Sequence, residues 1–111
     1  MTSPVTPALV EGVDVDRVAA AVAACPAVAR LTAGRAGAGS YLPGRRVTGV
    51  SVRPAPGEGP VRVAVHVVAH AGVPVREVAD QVRTAVGPLA PGSVVDVAIE
   101  DVLDPLAGDT P

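Results

Sequence analysis

The segment from residue 61 to residue 102 constrains the fold more than any other part of the chain. It begins with VRVAVHVVAH, continues with GVPVREVADQVRTAVG and ends with SVVDVAIEDV. The outer two pieces alternate valine with other residues, which is typical of strands, and the middle piece repeats apolar residues at helical spacing. A strand–helix–strand unit of this length normally joins parallel strands by a right-handed crossover.

These periods also predict which residues face the core. Pro74 suits the first position of the helix, and Gly87-Pro88 ends it. The apolar positions of the helix are Val75, Val78, Ala79, Val82 and Val86. In the last strand we expect Val95, Val97 and Ile99 on the core face, with Asp96 and Glu100 opposite.

Upstream of this unit, Asp14 is a good N-cap for a helix over 15–25, which Pro26 ends. The buried stripe of this helix is expected at Val15, Val18, Val22 and Cys25. A short strand is predicted within 27–33, and a second over 47–53. The turn PAPGEGP at 54–60 then makes an antiparallel hairpin between that second strand and the strand from residue 61.

These elements predict an α+β fold, a two-layer sandwich in which a mixed sheet of about four strands carries two helices on one face. The single domain spans 13–103, between a flexible N-terminal arm at 1–12 and a polar C-terminal tail at 104–111. The uncovered face of the sheet, half small-apolar and half charged, suits a contact surface. On the strand from residue 61 it presents Arg62, Ala64, His66, Val68 and His70.

Composition limits the core and the compartment. Phe and Trp are absent and Tyr41 is the only aromatic residue, although 49% of the chain is hydrophobic, so the core is expected to consist of valine and alanine. The single cysteine, Cys25, excludes an intramolecular disulfide and is expected to be buried.

The first residues carry two prolines and no basic cluster, and no apolar run reaches the roughly 20 residues of a membrane span. We therefore expect a cytoplasmic protein with no direct membrane span.

No catalytic residue, metal site or cofactor is predicted. The glycines of 34–39 are spaced as in a phosphate-binding loop, but Ser40 and Tyr41 stand where that motif requires Lys and Ser or Thr, and the chain has no lysine. His66 and His70 lie four strand residues apart, roughly 13 Å, which is too far to share an ion. The late acidic residues are expected to form a solvated edge.

The charges are segregated along the sequence. Six arginines and no acid lie between residues 17 and 57, whereas seven acids and one arginine lie between residue 77 and the end. Arg35, Arg45 and Arg46 are the candidate partner-binding residues, because they lie in the glycine-rich segment 34–46, which is predicted to be a long loop. One alternative function is therefore a small nucleic-acid-binding or regulatory module that uses this Gly/Arg loop. The isoelectric point near 5.5 and the single tyrosine argue against nucleic acid.

The ordered set of segments resembles the alkaline shock protein 23 family, also called the envelope stress response family. It consists of VDVDRVAAAVAACPAVARLTAGRAG, RRVTGVSVR, VRVAVHVVAHAGVPVREVADQVRTAVGPL and VVDVAIEDV. The resemblance covers residues 13–102. Its most telling part is the apolar strand followed by Gly72-Val73-Pro74-Val75 and Glu77-Val78-Ala79, with a final strand that ends in Glu100-Asp101-Val102.

This resemblance implies a non-enzymatic, cytoplasmic protein that supports envelope homeostasis at the inner membrane face. It implies self-association into a homo-oligomer or association with related family members, and contact with a small membrane-anchored protein. It supplies no catalytic residues. Longer relatives carry an extra N-terminal strand and a long acidic or helical extension, which this chain lacks. We therefore expect an assembly that differs from theirs.

Overall fold

The computed structural model of the chain describes residues 8–104. The helices are α1, Val15–Ala23, and α2, Val75–Val86, which continues into a short 3-10 turn, Gly87–Leu89. The strands are β1 (Leu9–Val10), β2 (Val13–Asp14), β3 (Val28–Leu31), β4 (Gly39–Leu42), β5 (Arg45–Thr48), β6 (Val50–Arg53), β7 (Arg62–His70) and β8 (Val94–Leu103).

The boundaries of the predicted arm and tail are only partly visible. Residues 1–7 and 105–111, which hold most of both segments, lie outside the described residues. Within the predicted arm, Leu9–Val10 pairs with Val13–Asp14 in a small antiparallel hairpin. Among the described residues, regular structure is therefore present from residue 9, within the predicted arm.

Strand β7 is the centre of a mixed four-stranded sheet. Along one edge it pairs antiparallel with β6, through residues 62–65, and with β3, through residues 67–69. Along the other edge it pairs parallel with β8 over its whole length. The predicted parallel pair, the predicted hairpin and the predicted mixed sheet are all confirmed.

Gly49 lies where β3 and β6 meet end to end on β7. The backbone N–H of His66 donates to the carbonyl of Gly49 at 2.8 Å, and the N–H of Thr32 donates to the carbonyl of His66 at 2.9 Å. Gly49 has a φ of 83°, and a Cβ added there would lie 3.0 Å from each of three neighbouring atoms. Only glycine fits this junction without strain.

Both helices pack on the valine-rich face of β7. Val63, Val65 and Val67 are fully buried, and they share one core cluster with the buried valines of both helices. Those are Val15, Val18 and Val22 of α1 and Val78, Val82 and Val86 of α2. The α+β arrangement predicted from the sequence is therefore present, and its core is built almost entirely of valine.

Two details of the helices differ from prediction. The carboxylate of Asp14 caps α1 as expected, accepting from the N–H of Arg17 at 3.2 Å, but the helix ends at Ala23. Val75 was predicted on the buried stripe of α2, yet it is 70% exposed. It occupies the first position of the helix, where the chain has not yet turned over the sheet.

The segment 34–46 is not one long loop, and this prediction was wrong. After a short stretch over 34–38, the chain forms a hairpin of β4 and β5 joined by Pro43 and Gly44, with Gly44 at a φ of 77°. The buried hydroxyl of Ser40 donates to the carbonyl of Val50 at 2.6 Å, which ties this hairpin to β6. The predicted strand over 47–53 is accordingly divided at Gly49.

Candidate interaction surfaces

Arg45, a candidate partner-binding residue, is held by a neighbouring helix. Its guanidinium donates two hydrogen bonds to the carboxylate of Asp16, at 2.6 and 2.5 Å. These bonds lower the pKa of Asp16 and raise that of Arg45. The pair joins β5 to the first turn of α1, so Arg45 has an internal partner instead of an open charge.

Arg46 is occupied by its own hairpin and loop. Its Nη2 donates to the carbonyl oxygens of Gly37 and Ala38, and its guanidinium lies 5.2 Å from the ring centroid of Tyr41. The side chain passes Gly39 so closely that a Cβ there would lie 2.8 Å from its Nε. Arg46 therefore fixes the path of the loop over 34–38.

Arg35 is exposed, as Arg45 and Arg46 are, but it differs from them in its contacts. No ion pair or hydrogen bond of its side chain is found within residues 8–104. It lines a depression of about 400 Å³, together with residues of β3, β7 and β8 that include Arg30, Glu100 and Asp101. The three predicted arginines thus have three different environments, and only Arg35 remains available to a partner.

Folding brings the segregated charges of the sequence together. Arg62 of β7 makes two hydrogen bonds to Asp96 of β8, at 3.2 and 3.3 Å. His66 Nδ1 lies 2.8 Å from Glu100 Oε1, again between β7 and β8. Arg62 and His66 lie outside the arginine-rich segment 17–57, but Arg30 and Arg35 of that segment line one depression with Glu100 and Asp101 of the acidic segment. The two segments therefore meet there and do not form wholly separate basic and acidic surfaces.

The outer face of the sheet, opposite the helices, is partly covered by the loop over 34–38. Val68, predicted on an open face, is only 4% exposed. Beside it, this loop and the sheet enclose a groove of about 420 Å³, which we call the outer-face groove. Its lining residues are Ala36, Gly37, Ala38, Gly39, Ser51, Arg53, Arg62, Ala64, His66 and Asp96.

Arg53 and Ser51 of this groove were not singled out from the sequence. The signal was present, because the hairpin around 54–60 fixes the register of β6 against β7. In that register Arg53 lies opposite Arg62, and Ser51 lies opposite Ala64. Once Val52 and Val63 face the core, alternation places these four residues on the outer face.

Strand β8 is an edge of the sheet among the described residues, since β7 is its one paired neighbour there. Val94 donates its N–H to the carbonyl of Val61 at 2.9 Å. Main-chain groups alternate in direction along a strand, so those of Val95, Val97 and Ile99 point to the unpaired side. Their side chains pack partly against the core.

Both ends of this edge are blocked by side chains. Arg83 Nε of α2 donates to the carbonyl of Val95 at 3.2 Å, and the carboxylate of Asp101 accepts the N–H of Val102 at 2.8 Å. Charged residues commonly protect sheet edges in this way. Within residues 8–104, the main-chain groups of Val97 and Ile99 on this side have no hydrogen-bond partner and form an open central section. Val102 and Leu103 beyond it are about half exposed.

The predicted buried thiol is confirmed. Cys25 is 7% exposed, and burial raises the pKa of its thiol. Its sulfur lies within hydrogen-bond distance of two backbone carbonyl oxygens, those of Ala21 and Gln81. This environment favours the protonated thiol and links α1 to α2.

Within residues 8–104, no three His, Cys, Asp or Glu side chains come together as a metal site. Neither helix in this part of the chain combines the length and the apolar character that crossing a membrane requires.

No family model, curated protein or solved structure matches this chain.

Proposed function

We propose that this chain is a non-enzymatic envelope stress response protein that acts by association with other protein chains at the inner face of the membrane. Its partners would be a second copy, related family members or a small membrane-anchored protein. The observation that carries the proposal is the open central section of β8, where Val97 and Ile99 direct unpaired main-chain groups outward. The envelope stress response class itself rests on the sequence resemblance of residues 13–102.

The β8 edge suits a partner that adds an extended segment to the sheet. Main-chain hydrogen bonds supply the affinity in such complexes, and flanking side chains supply the specificity. Here the flanking side chains are apolar: Val95, Val97 and Ile99 pack only partly against the core, and Val102 and Leu103 are exposed. Exposed apolar residues beside an open edge are typical of an interaction site.

The alternative function, a nucleic-acid-binding module using the segment 34–46, gains no support from the contacts. Arg45 is paired with Asp16, and Arg46 is bound to backbone carbonyls of its own loop. Phosphate contacts in nucleic-acid complexes require several free cationic side chains. The association proposal therefore accounts for more of the observed geometry.

The test removes one outward N–H of β8. Val97→Pro deletes it, and the control Val97→Ala keeps the N–H although it removes more apolar surface than proline does, so a loss confined to the proline variant reports the N–H. Sedimentation velocity should show concentration-dependent association for the wild type and for Val97→Ala, and a marked loss of it for Val97→Pro. Crosslinking in cells, followed by membrane fractionation, should recover a membrane-bound partner with the wild type and with Val97→Ala. Recovery should be much lower with Val97→Pro.

Melting temperatures of both variants separate loss of the edge from loss of the fold. A wild-type chain that stays monomeric at every concentration and forms no crosslinked product in cells would contradict the proposal.

A further inference from the structure

Arg53 and Arg62 form a like-charged pair on the outer face of the sheet. They are direct cross-strand neighbours in the β6–β7 hairpin. Like charges directly opposite one another destabilise a sheet. Asp96 pairs with Arg62, but no ion pair or hydrogen bond of the Arg53 side chain is found within residues 8–104. In the described part of the chain, the two arginines have one carboxylate beside them, that of Asp96, and it pairs with Arg62. Arg53 is therefore available to bind another anion.

The pair lies at one end of the outer-face groove, which has the volume of a small-molecule site, about 420 Å³. Its floor is formed by the small side chains of Ala64 and Ser51, which leave space between the arginines and His66. One wall is the loop of residues 36–39. Arg46 bonds to the carbonyls of Gly37 and Ala38 and so holds this wall in place.

We propose that the outer-face groove binds a small molecule that carries a phosphate group. The guanidinium of Arg53 would bind the phosphate oxygens in the two-pronged geometry that arginine favours, and Arg62 would contribute while keeping its bond to Asp96. The Ser51 hydroxyl supplies a neutral donor. His66, whose Nδ1 faces Glu100, has its other ring nitrogen for the remainder of the ligand.

A small ligand fits these residues better than a membrane or a nucleic acid. The loop walls the groove, and its volume of about 420 Å³ is that of a small-molecule site and not of a surface open to an extended polyanion. The net charge of the chain, −2, also disfavours general attraction of polyanions. This inference is independent of the proposed association, because it concerns the outer face and not the unpaired edge of β8.

The test is a titration of the whole chain with inorganic phosphate and with pyrophosphate, monitored by amide chemical shifts at constant ionic strength. Saturable shifts are expected at Ser51, Arg53, Ala64 and residues 36–39. Arg53→Gln should weaken binding about tenfold, since it removes charge-assisted hydrogen bonds. The control Arg76→Gln, an exposed arginine of α2, should bind as the wild type does.

Two further measurements make the test specific to a built site. Ala64→Leu keeps every charge but fills the floor of the groove, and it should also abolish saturable binding. Arg53→Gln should melt at the same temperature as the wild type or higher without ligand, because it relieves the repulsion with Arg62; a structural arginine would lower it.

The proposal is overturned if no saturable shifts appear in the groove, if Arg53→Gln and Arg76→Gln weaken binding equally, or if Ala64→Leu binds normally. It is also overturned if phosphatidylglycerol vesicles or single-stranded RNA bind in an Arg53-dependent manner while the small phosphates do not. In that case the arginines would contact a macromolecule.

Discussion

The two faces of β7 are covered in different ways. On the helix face, Val63, Val65 and Val67 are fully buried under α1 and α2. On the outer face, Ala64 and His66 remain partly exposed beneath the loop over 34–38, and polar contacts with β8 replace apolar contact. Buried valines fill the helix face of β7, whereas the loop over small side chains leaves a groove of about 420 Å³. We infer that one face supplies stability and the other face supplies recognition.

The largest expected effect breaks the helix face. Val65→Asp places a carboxylate with no ionic partner among fully buried valines, which costs several kcal/mol. A domain of this size is stable by only about 5–15 kcal/mol. Circular dichroism should show a chain that is largely unfolded or melts far below the wild type.

His66→Gln, one residue along on the outer face, is the matched control and should melt close to the wild type. Equal melting temperatures for the two variants would show that the faces of β7 have been assigned wrongly.

A smaller effect is expected at the junction of the sheet. Gly49→Ala imposes a φ of 83° on alanine, at about 1–2 kcal/mol, and also pushes a Cβ against three atoms, at about 1–3 kcal/mol more. Gly44→Ala meets the same backbone penalty at a φ of 77° but has no atom within 4 Å of the new Cβ. The urea concentration at the midpoint of unfolding should therefore be much lower for Gly49→Ala than for Gly44→Ala. Similar midpoints would mean that β3 and β6 do not crowd this position.

The smallest effect is expected from the surface pair Arg45–Asp16. Arg45→Gln should lower the melting temperature slightly at neutral pH, because both side chains are about half exposed. The hydrogen bonds from Arg45 lower the pKa of Asp16. The contribution of the pair is therefore complete above the ordinary carboxyl pKa and disappears as the pH falls through the lowered value.

Melting curves at several pH values should show the difference between Arg45→Gln and the wild type shrinking in acid. Asp16→Asn and the double variant complete the cycle. If the double variant melts lower than either single variant, the two residues act separately.

Most of the sheet and both helices could be predicted, because long periodic segments carry their own signal. The alternation in β7 and the apolar stripe of α2 extend over many residues, and Asp14 marks the start of α1 through a cap. The hairpin of β4 and β5 was missed for the opposite reason. Its strands, GSYL and RRVT, have four residues each and follow a glycine-rich stretch, so its main signal is the Pro43-Gly44 turn.

The candidate sites were harder to predict than the fold, because they depend on pairing between distant segments. Arg45 and Arg46 look free in the sequence, but their partners, Asp16 and two loop carbonyls, become neighbours only after folding. Arg53 looks like an ordinary strand residue until the hairpin register places Arg62 opposite it. Local patterns predict which side of a strand a residue occupies, but not which residue of another strand neutralises it.

The meeting of β3 and β6 at His66 has a consequence for how this chain can vary. Thr32 and Gly49 bond to the two main-chain groups of that single residue, so everything between them leaves the sheet and returns to the same point. The stretch between Thr32 and Gly49 is therefore an insertion in the sheet, and both of its ends are held by the main chain of His66. Val47 of this stretch lies in the core cluster and Ser40 bonds to the carbonyl of Val50. Changes of length or composition that spare the valine core and the register of β7 are therefore expected at the exposed residues 35–37 and 43–46.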